Sequence, residues 1–417
     1  MSLKQTLQSR IGWVVATVVT VAFSQAAQAV PSYARQTGQD CVACHIGGFG
    51  PQLTPYGIKF KLGGYTDTDG KDGKVPLSGM VAASYTNNKD KTADAGRKSA
   101  LDEASLFVAG RLADKLGTFI QITNEPADHH TALDQVDIRY AVPLTLAGKD
   151  SIVGLSVNNN PGVQDPFNNL SPWSFPYQPS HGGNAVGAER AGLGGLEGNV
   201  IGANVYTIWD NAVYGELGLY NTLSPTVQSK TGVASLQDAI DFGRLNNALY
   251  WRLGYMQDLR TSAWSVGLVG FDGKIKDRGG NTTFSNFSDI GVDASYQLLG
   301  TREHIVTVNG SYIREHDSVS GVNTNDYKLT SSYVYRNTYG ATLGLFKATA
   351  SDHQNQNSGY ILQGDFTPWG KESSWAEPWA NLRLGAQYVG YNSYTEEGTK
   401  FKASDKNTLY LFAWTSF

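Results

Sequence analysis

The chain has 417 residues, a formal net charge of −4, and only 2 cysteines and 3 methionines. No concentrated basic stretch is present, so a nucleic-acid partner is not expected. With 47 glycines, 22 tyrosines and a mean hydropathy of −0.30, the composition favours antiparallel β-structure over membrane-crossing helices.

The first 29 residues have the pattern of a secretory signal peptide. Lys4 and Arg10 precede an apolar run over 11–23, and a small-x-small triplet follows at 27–29. The apolar run is too short for a membrane span. We therefore expect export of the protein and a mature chain that begins at residue 30.

Cys41, Cys44 and His45 form the pattern Cys-x-x-Cys-His, which is the attachment signature of a c-type haem. Two thiols one helical turn apart bond the porphyrin, and the adjacent imidazole becomes the axial ligand of the iron. No second Cys-x-x-Cys completes a zinc site, and no further cysteine competes for a disulfide. The motif predicts one covalently bound haem c.

Short helices are predicted on both sides of this motif, in a segment over 30–75. One helix is expected over 31–39. A second begins with Thr54 as N-cap and Pro55 at the first helical position, and Gly63 ends it. This segment is too small to bury a haem alone, so another part of the chain must cover the pigment.

The sequence over 67–73 resembles a calcium-binding loop only in part. Lys71 stands where a ligand oxygen is required, and Ser78 replaces the closing glutamate. A solvated turn is the expected structure.

From residue 76 onward, apolar and polar residues alternate with period two. In the stretch over 379–391, Leu382 and Leu384 share one face, while Asn381, Arg383 and Gln387 share the other. Such strands have one face toward lipid and one toward a wet interior. Sixteen strands are predicted, near 77–87, 103–113, 116–125, 133–143, 151–159, 197–208, 212–220, 244–256, 263–272, 287–297, 305–315, 325–335, 339–350, 357–366, 379–390 and 405–417.

The connections alternate between long polar loops, such as 87–100, and short turns, such as 114–115. Only 369–377 is long for a turn. This alternation, the even strand number and the aromatic ending on Phe417 are typical of outer-membrane barrels with both termini in the periplasm. We predict an all-β fold, a transmembrane antiparallel β-barrel over 76–417 in the outer membrane. The alternative, one or two soluble β-sandwiches, has to accommodate sixteen strands in one unbroken series.

A sixteen-stranded barrel leaves an aqueous lumen rather than a packed centre. The haem segment is therefore expected to plug this lumen, where inward-facing side chains cover the porphyrin. Haem segment and barrel then form one functional unit.

The residues around the haem motif resemble a known family. The matching patterns are YARQTG at 33–38 and PxLTxYGxxFKxxGY at 51–65. They resemble the fused outer-membrane cytochrome–porin family linked to microbial iron(II) oxidation. The resemblance implies a monohaem protein that takes electrons from an extracellular donor, typically Fe(II), and delivers them to a periplasmic c-type cytochrome or other soluble carrier. On matching positions it implies Cys41, Cys44 and His45 as haem residues.

The sixth ligand of the iron tunes its potential, and methionine raises that potential relative to histidine. Met80 and Met256 both fall at lumen-facing positions of their predicted strands, and Met80 is the preferred candidate for the sixth ligand. Ordinary packing is the alternative for each methionine. His181 is a further candidate, if its proline-rich loop over 160–190 folds inward as a constriction, and an open or water-filled site is another. His304 has the lipid-facing phase and is expected at the interface.

A possible donor site lies on a predicted outer loop. There Glu125 and Asp128 precede His129 and His130, and Fe(II) binds nitrogen and oxygen ligands of this kind. The alternative is a solvated loop.

Three functions fit these features. The leading hypothesis is electron transfer across the outer membrane with an iron(II) oxidase-like activity, because the lipid barrier of about 25–30 Å blocks both ferrous ions and electrons. The second is a solute porin whose haem segment is a gating or structural plug. The third is a haem-based sensor or ligand binder, which an open sixth site favours. Porins of this size are often trimers, although no subunit interface is recognisable in the sequence.

Overall fold

A computed structural model describes residues 30–71, 73–89, 97–178 and 183–417. Sixteen long antiparallel strands form one closed barrel, because the first strand pairs with the last, with Met80 opposite Ser416. The strands are β1 (Leu77–Asn88), β2 (Arg97–Ala113), β3 (Leu116–Glu125), β4 (His130–Leu146), β5 (Lys149–Asn158), β6 (Val200–Trp209), β7 (Val213–Thr222), β8 (Ala248–Asp258), β9 (Ser262–Lys276), β10 (Thr283–Leu298), β11 (His304–Asp317), β12 (Val322–Tyr335), β13 (Tyr339–Ala350), β14 (Gln356–Phe366), β15 (Asn381–Glu396) and β16 (Thr408–Ser416). The predicted number of barrel strands is confirmed. The predicted signal peptide over 1–29 lies outside the described residues.

Two short strands, Arg244–Leu245 and Thr399–Phe401, extend the sheet beside the long ones. The first of them explains why the prediction for β8 began too early. Residues 244–245 pair with β9, and the chain then turns at Asn247 before β8 begins. Alternation in sequence detected both pieces but not the break between them.

The burial pattern of the strands is reversed relative to that of a soluble protein. Along β10, Ile290 and Val292 point outward and are 56% and 43% exposed, while Asp289 and Asp293 point inward and are buried. The face assignment for the stretch over 379–391 is also confirmed, because Asn381 and Arg383 are buried. A closed barrel with an apolar outside and a polar inside satisfies all backbone groups in lipid. The chain is therefore a porin-like transmembrane barrel of the outer-membrane type.

The two ends of the barrel differ in their connections. One end, called the turn end here, carries both ends of the barrel chain, Leu77 and Ser416, and the connections 114–115, 147–148, 210–212, 259–261, 299–303, 336–338 and 367–380. The last of these is the long turn noted in the sequence. The opposite, loop end carries the remaining connections, of which the longest are 159–199 and 223–247. We expected the turn end on the periplasmic side.

The helices are short; three precede the first strand in the chain and two lie in the connection between β7 and β8. They are α1 (Pro31–Thr37), α2 (Cys41–Cys44), α3 (Pro55–Leu62), α4 (Pro225–Lys230) and α5 (Leu236–Asp241), with 3₁₀ turns at Ile46–Gly48 and Ala403–Asp405. Among the described residues, no helix combines the length and the apolar character needed to cross a bilayer.

The described parts of the loop over 159–199, residues 159–178 and 183–199, lie inside the lumen, as the proline-rich sequence suggested. Its Asp165 is paired with Arg252 of β8 at 2.8 Å, and its Arg190 with Asp326 of β12 at 2.9 Å. Its backbone amide at Leu193 donates to Asp289 of β10 at 2.6 Å. The loop is thus attached to several strands and narrows the lumen. His181, a sixth-ligand candidate, lies outside the described residues.

We expect the Arg252→Met substitution to lower the stability of the barrel by about 3–5 kcal/mol, because it leaves two buried carboxylates without their cation. Arg252 is fully buried and contacts both Asp165 and Asp293 within 2.9 Å. The midpoint of urea unfolding measures the change. Lys149→Met is the matched control. Its pair with Asp210 is about half exposed, so we expect a loss below about 1 kcal/mol. Equal losses in the two variants would contradict the assignment of a structural role to the buried pair.

Candidate functional site: the cavity at the haem motif

The N-terminal segment, residues 30–71, lies inside the ring of strands at the turn end and is called the plug. Its backbone carbonyls accept hydrogen bonds from strands on different sides of the barrel. Gln297 of β10 donates to Leu53 O at 2.7 Å, and Asn381 of β15 donates to Gly48 O at 2.8 Å. From the plug, the Tyr65 hydroxyl donates to Asp137 of β4 at 2.6 Å. The lumen-facing side chains therefore surround the plug.

The two cysteines of the motif lie at the ends of a single helical turn, α2. The backbone amide of His45 donates to Cys41 O at 2.9 Å, which closes this turn. Because the cysteines are three positions apart, both thiols project from the same side. Cys41 is buried and Cys44 is partly buried, and neither forms a disulfide.

Helix α3 packs directly against this turn. Thr54 caps the helix by accepting from the Gly57 amide at 3.2 Å, and Pro55 occupies its first position, as predicted. A Cβ atom at Gly57 would lie 2.4 Å from Cys44 O. Only glycine permits this close approach, which holds α3 next to the cysteines.

His45 follows α2 and has one ring nitrogen without a partner. Its Nδ1 atom is buried and forms no hydrogen bond, while the ring makes a hydrogen bond with the backbone of Gly50. Desolvation lowers the pKa of His45 to about 4, so the imidazole is neutral at neutral pH. A neutral imidazole that is oriented through one nitrogen and free at the other has the form that binds a metal.

A cavity adjoins Cys41, Cys44 and His45, and its empty space of about 720 Å³ includes a part that is open to solvent. The lining is mainly apolar and aromatic, and it comprises Val30, Tyr33, Ala34, Thr37, Gln39, Asp40, Cys41, Cys44, His45, Pro51, Leu53, Gly57, Phe60, Lys61, Tyr65, Phe119, Asn168 and Trp173. Both thiols and the unpartnered imidazole thus face one large apolar space, and this donor set fits a c-type haem.

The barrel contributes Glu377 to the motif. Its carboxylate accepts from the Cys41 amide and from the Cys41 thiol, both at 3.3 Å. Glu377 belongs to the long turn over 367–380, and the Ser373 amide of that turn also donates to Asp40 at 2.7 Å. The turn therefore positions the first cysteine from the side of the barrel. Sequence reasoning noted the length of this turn but did not identify Glu377.

Lys61 connects the plug to the lumen loop. Its ammonium donates to Val163 O and Asp165 O, both at 2.7 Å, and lies 5.0 Å from the centre of the Trp173 ring. Burial, followed by the neighbouring Arg139 charge, lowers the pKa of Lys61 to about 7. The sequence displayed Lys61 only as one position of the family pattern, and nothing in the sequence indicated Trp173 as part of the cavity wall.

The two candidate methionines, Met80 and Met256, point into the barrel, as their positions in the alternating pattern predicted. Their side chains are 1% and 2% exposed. Neither lies on the wall of the cavity. Met80 packs in a cluster with Phe60 and Tyr65, which do line the cavity, whereas Met256 packs with Leu53 and Tyr206. A role of Met80 as the sixth ligand stays a prediction, and packing accounts for the position of both side chains.

The remaining histidine candidates are occupied by local contacts. His130 directs Nδ1 toward Glu125 at 3.4 Å and Nε2 toward the carbonyl of Gly232. Within the described part of the chain, no group of three or more histidine, cysteine or acidic side chains is arranged to hold a metal ion. The suggested iron-collecting site at 125–130 is therefore not assembled. His304 is exposed and bonds to the Tyr333 hydroxyl at 2.7 Å, in agreement with an interfacial position.

In the turn over 67–73, the Asp69 carboxylate is engaged by neighbouring side chains and backbone. The Asp69 carboxylate accepts hydrogen bonds from the Lys71 amide at 3.0 Å and from the Lys74 ammonium at 3.2 Å. This carboxylate is therefore used by neighbouring residues of the turn. Residue 72 lies outside the described residues.

Comparison with known proteins yields no matching family model and no curated relative. Solved outer-membrane proteins share the fold at low identity. An anion-selective porin from Comamonas acidovorans is 16% identical, with a TM-score of 0.48 over 82% of this chain and 98% of that chain. OprB of Pseudomonas putida is 11% identical, with a TM-score of 0.49 over 82% and 93%. The channel DcaP of Acinetobacter baumannii is 11% identical, with a TM-score of 0.48 over 82% and 96%. These similarities concern the barrel fold alone.

Proposed function

We propose that this protein holds one haem c and passes electrons across the outer membrane, from an extracellular donor to a periplasmic acceptor. Cys41 and Cys44 would hold the porphyrin covalently, and His45 would be the axial ligand of the iron. When bound, the haem supplies a reversible one-electron centre. The observation that carries the proposal is the unpartnered, buried Nδ1 atom of His45 on the wall of a cavity that both thiols also face.

The residues of this chain would contribute position and exclusion of water. Glu377 holds Cys41 in place from the barrel side, and the Gly50 backbone orients the His45 ring. Phe60, Tyr65 and the other apolar residues of the wall keep the cavity dry. A dry environment and a fixed ligand orientation are two of the means by which a protein sets the potential of a haem.

The cavity lies close to the surface at the turn end. Gln39, which is exposed, and Asp40 belong to its wall. With the turn end in the periplasm, a small soluble electron carrier such as a c-type cytochrome could approach the cavity there. The donor, for which the family resemblance suggests Fe(II), would act at the loop end, so that oxidised iron stays outside the cell.

Stopped-flow mixing of the oxidised, haem-bearing protein with Fe(II) tests this proposal. We expect the absorbance bands of the reduced haem to appear with a rate that increases with the Fe(II) concentration, and no change in buffer without iron. If Fe(II) leaves the haem oxidised while small organic reductants reduce it, iron is not the donor. If neither class of reductant changes the spectrum, the assignment as an electron carrier is wrong.

A solute porin with a haem-bearing plug is the second candidate, and the sixteen-stranded barrel with an inward loop favours it. The two candidates differ in what passes through the lumen. A porin requires a continuous aqueous path through the lumen, whereas electron transfer to a bound haem does not. Removal of the plug separates them, as described in the Discussion.

A further inference from the structure

The proposed function leaves one physical problem, because the cavity and the donor lie at opposite ends of the barrel. The cavity is enclosed by the plug at the turn end, while an extracellular donor meets the loop end. The apolar band of such a barrel is about 25 Å tall. Electron tunnelling weakens exponentially with the gap between donor and acceptor orbitals, so a direct transfer over that height is slow.

Buried aromatic rings of one packed cluster extend from the cavity wall to the loop end on one side of the lumen. We call these rings the aromatic belt, which consists of Trp173, Phe175, Tyr177, Phe346, Tyr391, Tyr394 and Phe401. The first six are between 5% and 8% exposed, and Phe401 is partly buried against them. All of them belong to a single packed cluster that also contains Phe60 and Tyr65 of the cavity wall.

The belt begins at the cavity and continues along the lumen loop. Trp173 lies on the cavity wall, and Phe175 and Tyr177 follow it on the loop with their ring centres 5.3 Å apart. The Phe175 ring packs directly on β13, since a Cβ atom at Gly344 would lie 2.9 Å from it. Phe346 is two residues further along β13, on the same inward face.

From β13 the belt reaches the loop end through three close ring contacts. Phe346 and Tyr391 have ring centres 5.5 Å apart, Tyr391 and Tyr394 are 5.2 Å apart, and Tyr394 and Phe401 are 6.2 Å apart. Tyr394 and Phe401 face each other across the last hairpin of the loop end. Tyr391 also fixes the lumen loop, because its hydroxyl donates to Asn184 O at 2.9 Å.

We infer that the aromatic belt is the route by which electrons travel from the loop end to the haem cavity. This inference rests on the proposed function. One electron leaves the extracellular donor, Fe(II) becoming Fe(III), and one electron arrives at the oxidised haem iron, while no ring of the belt changes its oxidation state. Electron tunnelling decays less steeply through closely packed side-chain atoms than through water, and the packed rings therefore accelerate the transfer.

Not every group of buried rings is joined to the cavity. A second cluster, with Tyr220, Tyr250, Phe271 and Phe287, is equally buried but contains no residue of the cavity wall. On β16, the ring of Trp414 packs on Phe49 at 4.6 Å; both belong to the same cluster as the belt, but neither lies on that wall. The second cluster therefore provides matched controls.

The test uses intact cells that carry the haem-bearing protein in the outer membrane. A ferrous chelate bound to a polymer too large to cross that membrane supplies electrons only from outside. A small permeant reductant supplies them from the periplasm. The variants are Phe346→Leu and Tyr391→Leu in the belt, Tyr391→Phe, which keeps the ring but loses the hydroxyl, and Phe271→Leu in the second cluster.

We expect both belt variants with leucine to slow haem reduction by polymer-bound iron about tenfold or more. Tyr391→Phe and Phe271→Leu should retain the wild-type rate. The permeant reductant should act equally in all variants, and the absorption spectrum and midpoint potential of the haem should stay unchanged, which excludes a general loss of structure.

The inference that the belt carries electrons is wrong if external iron reduces the haem of wild-type and belt variants at the same rate. It is also wrong if Phe271→Leu slows this reduction as much as Phe346→Leu. A wild-type protein that external iron does not reduce at all contradicts the proposed function, and the belt fails with it.

Discussion

Replacing Cys41 and Cys44 together with serine should abolish covalently bound haem. The two thiols provide the bonds to the porphyrin, and the chain contains no other cysteine. Haem staining after denaturing electrophoresis, and the mass of the intact chain, measure the loss. The barrel should still fold, because hydrogen bonds and packing connect its strands independently of the cysteines.

The control for this experiment is His45→Ala. This variant retains both attachment sites, so we expect covalent haem in normal amount but an altered absorption spectrum and no reduction by Fe(II). His45 is the only histidine on the wall of the cavity, so no neighbouring imidazole among the described residues would replace it. Haem that remains covalently attached in the double cysteine variant would contradict the assignment of Cys41 and Cys44 as the attachment sites.

Deleting residues 30–71 should convert the barrel into an open pore, with solute flux into liposomes at least tenfold above that of the full chain. The plug fills the turn end, where Lys61 bonds to the lumen loop and Tyr65 to Asp137. Arg139 and Arg252, whose strands contribute them to the inside of the barrel, are also fully buried. The full chain should therefore pass little solute.

The double cysteine variant is the control for the deletion. Its plug lacks haem but keeps its bonds to the barrel, most of which involve backbone carbonyls such as those of Gly48 and Leu53. We expect its flux to stay as low as that of the full chain. Equal, high flux through the full chain and the deletion variant would favour the solute porin and remove the reason for a closed lumen.

The strands were readable from the sequence because the signal is local. A lipid-facing side chain follows every lumen-facing one, so a stretch of about ten residues carries its own pattern. Stretches such as β15 therefore revealed both their existence and their faces. The position of β8 was less accurate, because the preceding short strand has the same alternation and only its pairing with β9 separates the two.

The haem residues were readable for the same reason. Cys41, Cys44 and His45 are contiguous, and their spacing is determined by one helical turn. The partners of the motif could not be found in this way. Glu377 lies 336 residues after Cys41, and Asn168 lies 107 residues after Lys61. No local pattern relates side chains at such separations, because only closure of the barrel brings them together.

Met80 shows which part of a residue's position follows from the local sequence pattern and which part follows from tertiary packing. Period-two alternation determines that its side chain points inward, and this is confirmed. The height of a residue in the lumen, and the neighbour it meets there, depend on how strands, plug and lumen loop pack. Met80 belongs to the cluster that contains Phe60 and Tyr65, and it does not lie on the cavity wall.

The sequence alone therefore determined the quantities that repeat along the chain or lie within one turn of it: the number of strands, their faces and the haem motif. The tertiary structure decided which distant residues surround that motif, how the lumen loop is fastened to the plug, and which aromatic rings form one continuous cluster. The reason is physical. Backbone geometry imposes the short-range pattern on every segment separately, whereas contacts across the lumen exist only after sixteen strands have closed into a ring.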